Sequence, residues 1–113
     1  MSMMRKVLLT GATGFIGRAL TDELLSAGFE VTALGRRAPV ERCGAALRFE
    51  SADLSLGGLD QKLETIPPHD IIVHLAATPK LAQADAAAMT QLHVRASASL
   101  ASLAAGWGAR FLH

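Results

Sequence analysis

With 113 residues, half of them hydrophobic, the chain can bury the core of one domain and is too short for two. A formal net charge of +1 gives no electrostatic basis for binding nucleic acid or an acidic membrane, and no apolar run approaches the length that spans a bilayer. Met1 to Lys6 lacks the apolar stretch of a secretory signal and Cys43, the single cysteine, cannot form an internal disulfide, so a reducing cytoplasm is the expected compartment.

In chain order, Val7 to Thr10 is an apolar run ended by Gly11, which predicts a buried strand. Phe15 to Ala27 carries Ile16, Ala19, Leu20, Leu24 and Ala27 at helical spacing, and Gly28 stands where a left-handed residue would stop the helix. Glu30 to Leu34 is apolar and β-branched, a second strand, and Gly35 to Pro39 follows as a loop. Ala46 to Glu50 alternates, which predicts a third, shorter strand. Turn residues fill Asp53 to Gly58, a brief helix is expected over Leu59 to Thr65, and Pro67-Pro68 closes it. Asp70 to Leu75 predicts a fourth strand. Leu81 to Ala105, free of Gly and Pro, predicts a long helix with a stripe through Met89, Leu92, Ala96, Leu100 and Leu103, broken at Gly106 to Gly108. Arg110 to Leu112 begins a last strand. Strands that alternate with helices imply a parallel sheet with crossover helices: a doubly wound α/β fold of the Rossmann type, about five strands long, over residues 1–113.

Gly11, Gly14 and Gly17 recur every third residue between the first strand and the first helix. In such a loop the first glycine turns the chain off the strand, the second lets a pyrophosphate approach the backbone, and the third lets the helix pack closely. The helix N-terminus then offers unpaired N–H groups and positive dipole. A Walker-type loop would need Gly-Lys-Ser/Thr, and Gly17 is followed by Arg18 and Ala19. A glycine turn that only packs a helix on a strand is the plainer alternative. The strand before it, the helix after it and the spacing to the second strand favour the phosphate loop.

The stretch TGATGFIG (Thr10–Gly17) resembles the Thr-Gly-x-x-Gly-x-x-Gly signature of extended short-chain dehydrogenases/reductases, the NAD-dependent epimerase/dehydratase family. ADLS (Ala52–Ser55) is similar to that family's acidic turn after the third strand, VHLAA (Val73–Ala77) to its fourth-strand signature, and GARFLH (Gly108–His113) to the strand leading to its catalytic serine or threonine. The resemblance covers nearly the whole chain. It implies a strand order of 3-2-1-4-5 and a dinucleotide held by Gly11, Ala12, Thr13, Gly14, Phe15, Ile16, Gly17, Arg36, Arg37, Asp53, Leu54, Leu75, Ala76 and Ala77.

An acidic residue at the end of the second strand selects NAD, whereas a nearby arginine accommodates the 2′-phosphate of NADP. Gly35 occupies that position here, followed by Arg36 and Arg37, so the expected cofactor is NADP, with NAD the alternative; Arg36 is the favoured phosphate ligand and Arg18 could add to the field. Asp53 can contact adenine, cap a turn, or do both.

The resemblance implies chemistry by a Tyr-x-x-x-Lys pair with a serine or threonine, and the sequence contains no tyrosine. No catalytic residue is therefore assigned. His74 matches a buried strand position and is expected to be structural; His93 stands where many relatives have asparagine, and His113 lies in the last strand. No metal-ligand spacing is present, so no metal is expected. Cys43 is expected to be an inert thiol. Ending inside a strand, the chain is expected to expose a sheet edge and to self-associate, swap domains or be marginally stable, with the 81–105 helix a candidate homo-oligomer surface. The expected function is the dinucleotide-binding portion of an NAD(P)-dependent oxidoreductase, epimerase or dehydratase acting on a small carbonyl or nucleotide-sugar substrate. The alternatives are a non-catalytic NADP(H)-binding or redox-sensing module and a structural fragment.

Overall fold

The apolar run that ends at Gly11 is buried on both its faces. In the computed structural model, which describes residues 5–36, 46–52, 59–75 and 94–112, it forms β1 (Lys6–Thr10). It is followed by α1 (Phe15–Ser26), β2 (Glu30–Gly35), β3 (Leu47–Ser51), α2 (Leu59–Leu63), β4 (Ile71–His74), α3 (Ala96–Trp107) and β5 (Arg110–Leu112). All strands are parallel and lie in the order β3-β2-β1-β4-β5, the order expected from the sequence. This is a Rossmann-type α/β sheet.

A central parallel strand is covered on both faces, which is why Val7, Leu8 and Leu9 show no polar alternation and all three are inaccessible to solvent. In β1, β2 and β4, side chains of even-numbered positions face one core. There Leu8, Leu34 and Ile72 pack on Leu59 and Leu63 of α2 and on Ala96, Leu100 and Ala104 of α3. Val7, Leu9, Val31, Ala33 and Val73 face the other core, closed by Leu20, Leu24 and Leu25 of α1. At about 25 cal/mol per Å² of apolar surface removed from water, these two layers are the main stabilising contribution of the fold.

Several boundaries shift from the sequence-based expectation. β2 continues one residue to Gly35, and β3 starts at Leu47, although the Ala46 carbonyl already accepts the Val31 N–H at 2.8 Å. α2 stops at Leu63 because the chain tightens into turns, with Thr65 and Ile66 donating to the Lys62 and Leu63 carbonyls. β4 is shorter than Asp70 to Leu75. The largest correction concerns Gly106, expected to break the last helix. It lies inside α3, on an exposed face, and the helix ends instead at Gly108, whose φ of 68° is left-handed. There the Gly108 and Ala109 N–H groups close on the Ala105 and Ala104 carbonyls, the Schellman arrangement that also ends α1 at Gly28 and Phe29. On α3 the buried stripe is Ala96, Leu100 and Ala104, one per turn, with Leu103 at its flank. Met89, Leu92 and the rest of the 81–93 segment lie outside the described residues. Among those described, no helix is long and apolar enough to cross a membrane.

Candidate functional site

In this strand order the connections leave β1 toward β2 on one side, and β4 lies on the other. The crevice at the carboxyl ends of β1 and β4 is the topological switch point where open α/β sheets bind ligands. Thr10 and His74, the last residues of the two strands, are register partners and both fully buried. Thr10 Oγ1 lies 2.6 Å from His74 Nδ1 and also accepts the Leu75 N–H at 3.0 Å, so one hydroxyl ties the exit of β4 to the end of β1. Glycine spacing does not point to Thr10. The signal that could is its β-branched hydroxyl at the strand end, opposite a histidine at the end of another strand.

Beyond Thr10 the chain turns on Gly11, whose φ of 76° suits glycine, and Gly14 donates back to the Gly11 carbonyl at 3.1 Å. Gly17 is fixed by packing: a Cβ there would stand 1.8 Å from the Gly11 oxygen and 2.7 Å from its carbonyl carbon. The close approach that the motif predicts is thus between the first turn of α1 and the loop's own backbone. Thr21, buried one turn later, donates to the Gly17 carbonyl at 2.6 Å.

Gly14 differs. Its backbone (φ −74°, ψ 173°) suits any residue, and a Cβ would meet only the Gly11 oxygen at 3.4 Å, an ordinary contact. The described packing therefore does not demand glycine at 14. As N-cap of α1 it supplies no side-chain hydrogen bond, and the first turn carries no acidic residue. The N–H groups that every helix leaves unpaired at its start keep their partial positive charge without a carboxylate to neutralise it. Phe15 and Ile16, on the same turn, are 94% and 68% exposed, an apolar border beside these donors.

The predicted residues Gly11 to Gly17 and Leu75 thus converge on the crevice. Arg36 is exposed at the end of β2, on the same edge of the sheet, and among the described residues a Cβ at Gly35 beside it would meet nothing within 4 Å. Arg37, Asp53, Leu54, Ala76 and Ala77 lie outside the described residues, as do Cys43, His93 and His113. His69 lies at the opposite end of the sheet, ahead of β4.

An uncapped, carboxylate-free helix start with a glycine that the packing does not require suits an anionic group, and a pyrophosphate has the charge and acceptor oxygens to fill it. The family model for the NAD dependent epimerase/dehydratase family matches residues 7–113. Methionine adenosyltransferase 2 subunit beta of Rattus norvegicus is 34% identical over 112 residues, which are 96% of this chain and 31% of that protein. The dTDP-6-deoxy-L-talose 4-dehydrogenase (NAD(P)(+)) of Kitasatospora kifunensis is 50% identical over 52 residues, 46% of this chain and 16% of the relative. Among solved structures, a short-chain dehydrogenase/reductase superfamily protein from Agrobacterium tumefaciens with bound NAD superposes with a TM-score of 0.76 at 28% identity. That match covers 95% of this chain and 31% of the other. The chain spans under a third of the length of these relatives.

Proposed function

This chain belongs to the NAD-dependent epimerase/dehydratase family, and on that premise we propose that residues 1–113 form a dinucleotide-binding domain that takes NADP in preference to NAD. Gly14 carries the reading: among the described residues no packing requires glycine there, and no side chain caps the start of α1. A bound nicotinamide dinucleotide supplies hydride transfer. The chain's own residues bind and orient. Gly11 and Gly17 hold the loop in its turn, the N–H groups at the start of α1 receive the pyrophosphate, and Phe15 and Ile16 shield it from water. Ala12 and Thr13 complete the loop. Leu75, held by Thr10, stands on the other wall, and Ala76, Ala77, Asp53 and Leu54 are proposed cofactor contacts on the family resemblance alone. Arg36, with Arg37 beside it, faces the ribose 2′-phosphate across the space left by Gly35.

With no tyrosine in its sequence, the chain itself performs no phenolic proton transfer. A longer protein carrying this domain would act as an oxidoreductase, epimerase or dehydratase on a small carbonyl or nucleotide-sugar substrate. A second reading has a specific observation behind it. The rat relative, matched over 96% of this chain, is named as a subunit of an adenosyltransferase, so a non-catalytic dinucleotide-binding module that acts through a partner fits as well.

Titration of the chain with NADPH and NADH tests the proposal. We expect tighter binding of NADPH and a loss of about tenfold or more for Arg36→Ala against NADPH alone. Equal affinities, or no effect of Arg36→Ala, would refute the NADP assignment; failure to bind either dinucleotide would refute the binding function. Co-sedimentation with a methionine adenosyltransferase would favour the second reading.

A further inference from the structure

Two residues of α1 are buried, Gly17 and Thr21, which stand one helical turn apart on the same face. Gly17 has no side chain, so Thr21 is the side chain at the seat of the helix, and only 1% of it is exposed. The core on this face of the sheet is apolar, formed by Val7, Leu9, Val31, Ala33 and Val73 with Leu20, Leu24 and Leu25 of α1 at its edge. A valine has the shape for such a seat. Threonine adds a hydroxyl that must find a partner out of reach of water. That partner is the Gly17 carbonyl, to which Thr21 Oγ1 donates at 2.6 Å. The helix ladder brings the Thr21 N–H to the same oxygen, so the direction of one carbonyl is fixed by two donors of one residue.

A threonine inside a helix commonly reaches the carbonyl four residues before it, so the bond alone distinguishes nothing. Its place in the fold does. Gly17 is where the first turn of α1 touches the glycine loop: a Cβ on it would stand 1.8 Å from the Gly11 oxygen and 3.0 Å from Ala12 Cα. The Gly11 oxygen also accepts the Gly14 N–H at 3.1 Å, and the Gly14 carbonyl accepts the Arg18 N–H at 2.9 Å. Gly11, Gly14 and Gly17 thus form one set of backbone contacts that ties the loop to itself. Ala12, 6% exposed, anchors the start of this set in the core. The end of the set is glycine and has no side chain with which to anchor. Thr21 supplies the anchor from one turn away.

We propose that Thr21 is a positioning residue for the dinucleotide. Its hydroxyl holds the Gly17 carbonyl, Gly17 holds the first turn of α1 against the Gly11 carbonyl, and that contact sets where the N–H groups at the start of α1 point. Being buried, Thr21 acts through Gly17 and not on the ligand. The assignment rests on the dinucleotide reading of the loop, because the N–H groups that it aims are those that receive the pyrophosphate. Both dinucleotides carry that group, so Thr21 serves NADPH and NADH alike, unlike Arg36.

The test compares the wild-type chain with Thr21→Val, which keeps the shape and loses the hydroxyl, and with Thr21→Ser, which keeps the hydroxyl and loses a buried methyl. Each is followed by titration with NADPH and NADH, by urea unfolding, and by amide hydrogen exchange without ligand. We expect Thr21→Val to bind both dinucleotides about threefold to tenfold more weakly and to exchange its Gly14 and Arg18 amides faster by a similar factor. Its urea midpoint should not fall, since the Gly17 carbonyl keeps its helical donor. Thr21→Ser should keep the wild-type affinity and exchange while its urea midpoint drops. A threonine that only fills the core predicts the opposite order, with affinity following stability and serine the weaker binder; that result would overturn the proposal. Unchanged exchange at Gly14 and Arg18 in Thr21→Val would also overturn it, as would a loss confined to NADPH, which places the effect at the 2′-phosphate. If Thr21→Ser fails to fold, Thr21→Val decides. If the wild type binds neither dinucleotide, the binding function itself fails, and exchange in Thr21→Val still separates a loop held by Thr21 from one that is not.

Discussion

At the carboxyl ends of the strands the space between β1 and β4 is walled by backbone, with Gly11, Gly14 and Gly17 contributing no side chains and α1 opening onto it uncapped. At the amino ends the space beneath β2 and β4 is filled by side chains, with His69 wedged between Thr32 and Trp107. Each end has its own threonine–histidine pair, Thr10 with His74 and Thr32 with His69. At the first end the pair ties two strand ends together beneath the crevice. At the second the pair itself closes the space. Under the proposed function, ligand affinity on this sheet depends on atoms that are missing, whereas closure of its far end depends on atoms that are present.

Five substitutions can break or sharpen that contrast. Gly17→Ala has the largest expected effect, because its Cβ collides with backbone that cannot rotate away; we expect a loss of about 3 kcal/mol in urea unfolding, together with loss of dinucleotide binding. Gly14→Ala should leave stability within about 0.5 kcal/mol and weaken dinucleotide binding by about tenfold or more, measured by titration. A matching loss of stability would show that glycine at 14 serves the fold after all. At the opposite end, Thr32→Val should cost about 1 kcal/mol at pH 8, where the neutral ring needs its donor. His69 holds its proton less tightly folded than unfolded, so the unfolded chain takes the proton first as pH falls. This contribution to stability is complete above about 6.5 and declines below it, and the decline should vanish in His69→Gln. Lys62→Met should have the smallest effect, under about 0.5 kcal/mol, since its pair with Glu50 is about one-third exposed on each side. A larger cost would mean that surface charge also holds the lower end closed.

The upper end is readable from sequence because its logic is local. The turn at Gly11 and the close approach of Gly17 involve residues within one short loop, and the run Val7 to Leu9 declares a strand covered on both faces. The parallel sheet also follows from the alternation of elements, whereas the strand order is what the resemblance to the family implies. The lower end is not readable in this way. His69 follows two prolines in what reads as an ordinary turn, and its partners Thr32 and Trp107 lie 37 residues before it and on the far side of α3 in sequence. Only the assembled sheet brings them together. Gly106 misleads for a related reason: glycine disfavours a helix interior by about 1 kcal/mol, but the burial of Leu100 and Ala104 on the sheet carries α3 past it to Gly108.

The central position of β1 also bears on the order in which the sheet can assemble. On one side Leu8 pairs with Thr32, 24 residues away by subtraction, through the compact β1–α1–β2 unit. On the other it pairs with Ile72, 64 residues away. Closing the longer loop costs about 0.9 kcal/mol more in chain entropy. The face carrying α1 can therefore zip from neighbouring segments, whereas docking of β4 must wait for a distant stretch of chain to return. The candidate crevice lies on that second seam, so the proposed binding site is built between the two strands whose pairing closes the longer loop.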